Sequence, residues 1–271
     1  CWFVLEYNKG KYAGKAERNR IMVIRTQYLE RLRPFYDSEL VKVITGIRRC
    51  GKSTILRQVI AEIRENGVDD SHIVYINFED YKYHKLTDAD AFYKYIEQKI
   101  VDEGKYYLFF DEIQNVNKFE LVVNSFRATH NVSIFITGSN SKLLSGELAT
   151  HLSGRTVSLR VLPFNFMEFC QYKDISAPDY ESLLTEYMTY GGLPLVCGAD
   201  NKETKEVILS NIYDAVVLKD IVMRNKINSP LVLEKVLDYV VGNSSLTVSG
   251  NAIAGTLSSN GHKVSAPVVY D

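Results

Sequence analysis

Nine consecutive residues, Gly46-Ile47-Arg48-Arg49-Cys50-Gly51-Lys52-Ser53-Thr54, have the make-up of a phosphate cradle. They satisfy the pattern G-x-x-x-x-G-K-[ST], in which glycines let the backbone bend until successive N–H groups point inward at phosphate oxygens. Lys52 would reach the β- and γ-phosphates of a nucleotide, and the Ser53 hydroxyl would ligate Mg²⁺. The helix expected from Lys52 onward turns its positive dipole end toward the same anion. A glycine-containing turn without a ligand is the competing reading, and the run of matching residues weighs against it.

Four further positions agree with a triphosphate. Asp111 and Glu112 follow the apolar run Tyr106 to Phe110, which puts them at the C-terminal end of a strand. Ligands of open α/β sheets bind outside that end. Asp111 would hold Mg²⁺ through water, and Glu112 would take a proton from the attacking water. In Thr137-Gly138-Ser139-Asn140-Ser141 the best candidate to orient water or touch the γ-phosphate is Asn140, with Thr137 and Ser139 as rivals and a plain hydrogen-bonded turn as the alternative. Arg155, in Leu152-Ser153-Gly154-Arg155, could stabilise transition-state charge on its own nucleotide or a neighbouring subunit's, or could simply close a helix at the surface.

The elements that must position these groups alternate in type. Strands are predicted at 40–46, 72–78, 106–110, 132–138 and 156–162. Helices are predicted over Lys52 to Asn66, Asp88 to Val101, Phe119 to His130 and Ser141 to Leu152. Short apolar runs separated by helices of about 10 to 15 residues imply βαβ units and a parallel sheet covered on both faces. Ahead of them, Ile24, Tyr28, Leu29 and Leu32 would share one face of a helix. After Pro163 the strand signal ends and several helices follow, broken at 176–179 and 191–194. The expected division is a leader or appended segment at 1–21, an ATPase core at 22–162, a helical lid at 163–230 and a further helical module at 231–271.

Composition narrows the classes. The 271 residues are 46% hydrophobic and 24% charged, enough to bury a sizeable core. The net charge of −1 supplies no global pull toward nucleic acid or membrane. No apolar run approaches the ~20 residues of a bilayer span. Cys1, Cys50, Cys170 and Cys197 are scattered without C-x-x-C spacing, which disfavours a zinc site or disulfide framework and predicts a cytoplasmic protein.

Elimination then narrows the kind of phosphate-loop protein. Asp111-Glu112-Ile113-Gln114 lacks the glycine of a GTPase D-x-x-G, and Asn117-Lys118-Phe119-Glu120 lacks the aspartate of N-K-x-D. The LSG tripeptides at 144–146 and 152–154 lie downstream of the acidic pair and are incomplete for an ABC transporter signature. Residues 163–200 contain no arginine, unlike the lid of a small-molecule kinase. Taken in order, GIRRCGKST, INFED, FFDEIQ, ITGSNS, LSGR, LPFNFMEF, YGGLP and LKDIVMR resemble the AAA-type prokaryotic ATPases that carry a C-terminal domain of unknown function, described for some members as nuclease-like. The resemblance runs from about Met22 to Asp271. It implies an α/β P-loop NTPase fold with an AAA-like five-stranded parallel sheet of order 5-1-4-3-2, ATP and Mg²⁺ as ligands, and a winged helix after the lid. Lys52, Ser53, Asp111 and Glu112 match the family's nucleotide and metal positions, and Asn140 and Arg155 its sensor and arginine-finger positions. The departure is in the lid, where no arginine after GGLP offers a second sensor. Arg224 is a candidate substitute, although an ion pair with Asp220 at i,i+4 spacing is the simpler reading.

From Pro230 the pattern of helix, short helix, tight turn and new helix has the order of a truncated helix-turn-helix. Its charge does not favour DNA, because from residue 225 on Lys226, Lys235 and Lys263 face Glu234, Asp238 and Asp271. The expected function is Mg²⁺-dependent ATP hydrolysis that changes the lid's angle, in a protein that could form a homo-oligomer or act on a protein partner. The alternatives are an ATP-gated switch with negligible turnover and a DNA-binding regulator.

Overall fold

The computed structural model describes residues 22–139, 152–174, 179–216, 229–261 and 264–270. The sheet consists of β1 (Val41–Gly46), β2 (Ile73–Asn77), β3 (Tyr106–Asp111), β4 (Val132–Ser139) and β5 (Thr156–Val161). Its order is β2-β3-β4-β1-β5, with every neighbouring pair parallel. Read from the other edge this is 5-1-4-3-2, the order that the resemblance implies. The helices of this part are α1 (Thr26–Leu32), α2 (Lys52–Glu65), α3 (Ala89–Glu97) and α4 (Phe119–Thr129). The helix expected over 141–152 lies outside the described residues.

Parallel strands need crossover connections, and the crossovers cover both faces, so the central strands carry apolar side chains on either side. Val41, Val43, Leu108, Phe110, Ile134 and Ile136 enter one core with Phe92 and Val123 of α3 and α4. Ile44, Tyr107, Phe109 and Phe135 enter the other, with Leu29 and Leu32 of α1 and Ile55, Leu56 and Val59 of α2. Ile24 does not join the stripe predicted for it. It precedes α1 and is 46% exposed, because the helix starts two residues later. The helix predicted to run to Val101 ends at Glu97, where the Gln98 N–H bonds the Lys94 and Ile96 carbonyls.

One polar side chain crosses this apolar pattern. Lys42, the second residue of β1, is fully buried. Its ammonium donates to the Ser38 carbonyl at 3.2 Å and to Ser133 Oγ at 2.7 Å, and lies 4.5 Å from the Phe135 ring centroid. Burial, aided by the nearby Lys105 charge, pulls its pKa down to about 7.

After β5 come α5 (Phe166–Lys173), α6 (Tyr180–Tyr190), α7 (Pro194–Cys197) and α8 (Lys202–Asp214). Asn165 caps α5 in a capping box with Glu168, and Asp179 caps α6. Gly192 joins this layer to the end of the sheet: the Phe164 N–H donates to its carbonyl at 2.7 Å, and a Cβ there would stand 2.0 Å from the Phe164 carbonyl oxygen. The chain divides into two compact units, the second starting at Leu209. That unit holds α9 (Pro230–Gly242), α10 (Gly250–Ser259) and α11 (Ala266–Tyr270), with Ile253, Leu257 and Val264 buried against Val232, Val236 and Tyr239. The Gly250 N–H donates to the Tyr270 hydroxyl at 3.0 Å. Among the described residues, no helix is long and apolar enough to cross a membrane.

Candidate nucleotide-binding site

The loop between β1 and α2 is shaped by backbone that few residues tolerate. Gly46 has φ +156° and no room for a side chain: a Cβ would meet the Val161 carbonyl oxygen at 2.5 Å and Cys50 Sγ at 2.7 Å. Arg49 is left-handed at φ 63°, and Gly51 follows at φ 102°. Gly51 is also the N-cap of α2. It supplies no side-chain oxygen to the first-turn amides, and no acidic residue sits in that turn. An external anion can therefore take the place of a cap. Ile47, Arg48 and Arg49 are exposed, Ser53 and Thr54 half-buried, and Cys50 wholly buried, where burial raises its thiol pKa.

Lys52 turns back over this loop. It is 4% exposed and its ammonium donates to the Gly46 and Ile47 carbonyls, each at 3.3 Å. Both bonds are long, and a third contact places Nζ 3.4 Å from Glu112 Oε1. The lysine thus lies between the phosphate loop and the end of β3.

β3 ends on Asp111, which is fully buried. Its Oδ2 accepts from the Tyr75 hydroxyl at 3.0 Å, and its Oδ1 accepts from the Thr137 hydroxyl. Burial and the Asp111 charge raise the pKa of Tyr75. Glu112 then leaves the sheet in a left-handed conformation, φ 54°, and its N–H donates to Thr137 Oγ1 at 3.0 Å. Gln114 Nε2 donates to Glu112 Oε2 at 2.5 Å, while Gln114 Oε1 is buried without a partner among the described residues. Thr137 is fully buried, and its hydroxyl braces Asp111 and the Glu112 amide. Ser139 ends β4, and Asn140 lies outside the described residues.

Arg155 stands elsewhere. Its carbonyl accepts from the Val41 N–H at 2.9 Å, where β1 begins, and its Nη1 donates to Asn124 Oδ1 at 3.3 Å. The register from Val41 with Thr156 to Gly46 with Val161 separates it from the loop by the strand's length, roughly 17–20 Å at 3.3 Å per residue. It does not reach the nucleotide site of its own chain.

Sequence spacing misses the most connected residue here, Arg25, which precedes α1 and is 1% exposed. Its Nε and Nη2 donate to the two carboxylate oxygens of Glu168 at 2.8 and 2.9 Å. Nη1 also donates to the Cys50 carbonyl at 3.2 Å, and both Nη atoms donate to the Leu162 carbonyl at 3.1 Å. An arginine directly after the apolar stretch Met22 to Ile24 is the one available signal.

Comparison with known proteins agrees with this geometry. Residues 38–170 match the AAA domain family, from just before β1 into α5. These residues are an AAA domain. An uncharacterized protein of Haemophilus influenzae is 39% identical over 244 residues, covering 89% of this chain and 61% of its own length. A second, from Methanocaldococcus jannaschii, is 31% identical over 240 residues, covering 85% of this chain and 53% of its own. The chain thus spans about three-fifths and about half of these relatives. Among solved structures, a Walker-type ATPase of Pyrococcus abyssi superposes with a TM-score of 0.59 at 14% identity, over 97% of this chain and 90% of that one. That likeness concerns the fold. The AAA domain of residues 38–170 brings the loop 46–54, Asp111 and Glu112 to one end of the sheet.

Proposed function

We propose that the protein binds ATP with Mg²⁺ in the loop between β1 and α2 and hydrolyses it. The observation that carries this is the placement of Lys52, a buried ammonium held between two loop carbonyls and Glu112 at the end of β3. Its bonds to carbonyls are long, and phosphate oxygens are stronger partners for a cation. Loop amides and the uncapped start of α2 would hold the remaining phosphate charge.

The donor set fits the metal. Each Asp111 oxygen accepts from one hydroxyl and keeps a free lone pair, and the Ser53 hydroxyl is a second hard oxygen. Ser53 and Asp111 would hold Mg²⁺, which neutralises phosphate charge when bound. Glu112 accepts a proton from water as its oxygen bonds to the γ-phosphorus and the bridging oxygen leaves with ADP. Asn140 would orient that water. Because Arg155 lies at the far end of the sheet, its proposed role is toward the nucleotide of a neighbouring copy. Of the helices after Pro163, α5 to α7 would close over the base and move with nucleotide state.

Steady-state phosphate release by wild type and Glu112→Gln tests the reading. Turnover should fall by about 10²–10⁴-fold in the variant, with Mg-ATP binding retained. Equal near-background rates with binding intact would establish the second reading, an ATP-gated switch. The engagement of both Glu112 oxygens, by Lys52 and Gln114, favours that alternative over others.

A further inference from the structure

Arg25 joins three parts of the chain on one side chain. Its guanidinium donates to the Cys50 carbonyl in the phosphate loop, to the Leu162 and Pro163 carbonyls where the chain leaves β5, and to Glu168 in the first turn of α5. Its own N–H is held by Gln58 Oε1 at 3.1 Å, and Gln58 Nε2 donates to the Val23 carbonyl at 2.8 Å. Gln58 is on α2, the helix that the loop feeds. The Tyr28 and Phe164 rings lie 4.5 and 5.3 Å from the guanidinium carbon.

We infer that Arg25 is a positioning residue that couples occupancy of the phosphate loop to the orientation of α5. This rests on the loop binding nucleotide, as proposed above. A trans peptide directs its C=O and N–H to opposite sides. By holding the Cys50 carbonyl, Arg25 therefore turns the Gly51 N–H away from itself, toward the phosphate side of the loop. The guanidinium is planar and its donors form a rigid fork, so it cannot follow a shift of the Cys50 carbonyl without moving its other bonds. Glu168 transmits that movement. Its Oε2 also accepts the Asn165 N–H at 2.9 Å, and the Asn165 side chain accepts the Glu168 N–H at 2.9 Å. The carboxylate that grips Arg25 is thus part of the N-terminal cap of α5, and the helix must follow it. Residues 163–200 hold no arginine, so this connection comes from the segment before the sheet.

Hydrogen exchange of the full chain, with and without a non-hydrolysable ATP analogue and Mg²⁺, tests the coupling. In wild type the analogue should slow exchange in residues 46–54 and also change it in 164–173. Glu168→Gln keeps an oxygen for the cap but removes the charge that holds Arg25. At saturating analogue it should retain protection of the loop while the response of 164–173 falls by at least about fivefold, the lower end of typical site-to-site coupling. Arg25→Lys, which cannot span both the Cys50 and Glu168 contacts, should behave alike. A wild type with a protected loop and an unresponsive 164–173 would overturn the coupling. So would variants whose two segments respond as in wild type. A wild-type loop that shows no protection would overturn the nucleotide reading and the coupling with it. A purely structural ion pair predicts variants that are less stable but keep both responses.

Discussion

The Lys52 ammonium lies 3.4 Å from Glu112 Oε1, so the cation of the phosphate loop and the carboxylate at the end of β3 are each other's counter-ions. In the proposed function, a phosphate entering the loop would compete with Glu112 for that cation and release the carboxylate toward water. Lys52→Ala removes the cation from both relationships. Its affinity for Mg-ATP, measured by calorimetry, should fall at least about 100-fold, since several charge-assisted hydrogen bonds of about 1.5–3 kcal/mol each are lost. The circular dichroism spectrum should not change.

Thr137 serves two neighbours with one hydroxyl, donating to Asp111 and accepting from the Glu112 amide. Thr137→Val has nearly the same shape and neither bond. Urea titration should show a loss of about 1–3 kcal/mol, the usual effect of leaving a buried donor unsatisfied. The Mg²⁺ concentration for half-maximal hydrolysis should rise as Asp111 loses its brace. Unchanged stability would mean that the hydroxyl is replaceable.

Arg155 directly precedes β5, whose far end lies beside Gly46, so an effect on hydrolysis would require a second copy. Arg155→Ala and Lys52→Ala proteins should each be inactive alone. Mixed, they should recover part of the phosphate release, because some sites then combine an intact loop with an intact arginine. No recovery at any ratio would exclude a role across a subunit boundary.

Lys42 gives stability a pH dependence of known sign. Its pKa is 10.5 in an ordinary setting and about 7 when folded, so between these values the unfolded chain binds the extra proton. Stability due to this group is complete above pH 10.5 and is lost as pH falls toward 7, with a slope of at most about 1.4 kcal/mol per pH unit. In Lys42→Met this part of the slope should vanish. Urea midpoints of both proteins across pH 7 to 10 measure the difference.

The chemistry-bearing end of the sheet could be read from the sequence because it depends on local patterns. The loop 46–54 follows an apolar run, and Asp111 and Glu112 terminate another, so strand direction alone brings them together. Thr137 was harder. A strand buried on both faces has no polar alternation to show which hydroxyl of Thr137 and Ser139 faces Asp111. Arg25 and Glu168 are 143 residues apart, and no local period encodes such a pair. Lys42 is similar: its residue type suggests solvent, and only Ser133 and Ser38 on neighbouring segments make its burial tolerable. Ile24 shows the opposite error, a helical stripe counted back past the point where the backbone begins to coil.

Gly46 closes a circle between ligand and scaffold. The space that its missing side chain leaves is filled by the last carbonyl of β5 and by the Cys50 sulfur. A methyl group there would pry the edge strand β5 from β1 before any ligand arrived. Retention of glycine at this place therefore reports the architecture first, and a relative that had abandoned catalysis altogether would still have to keep it.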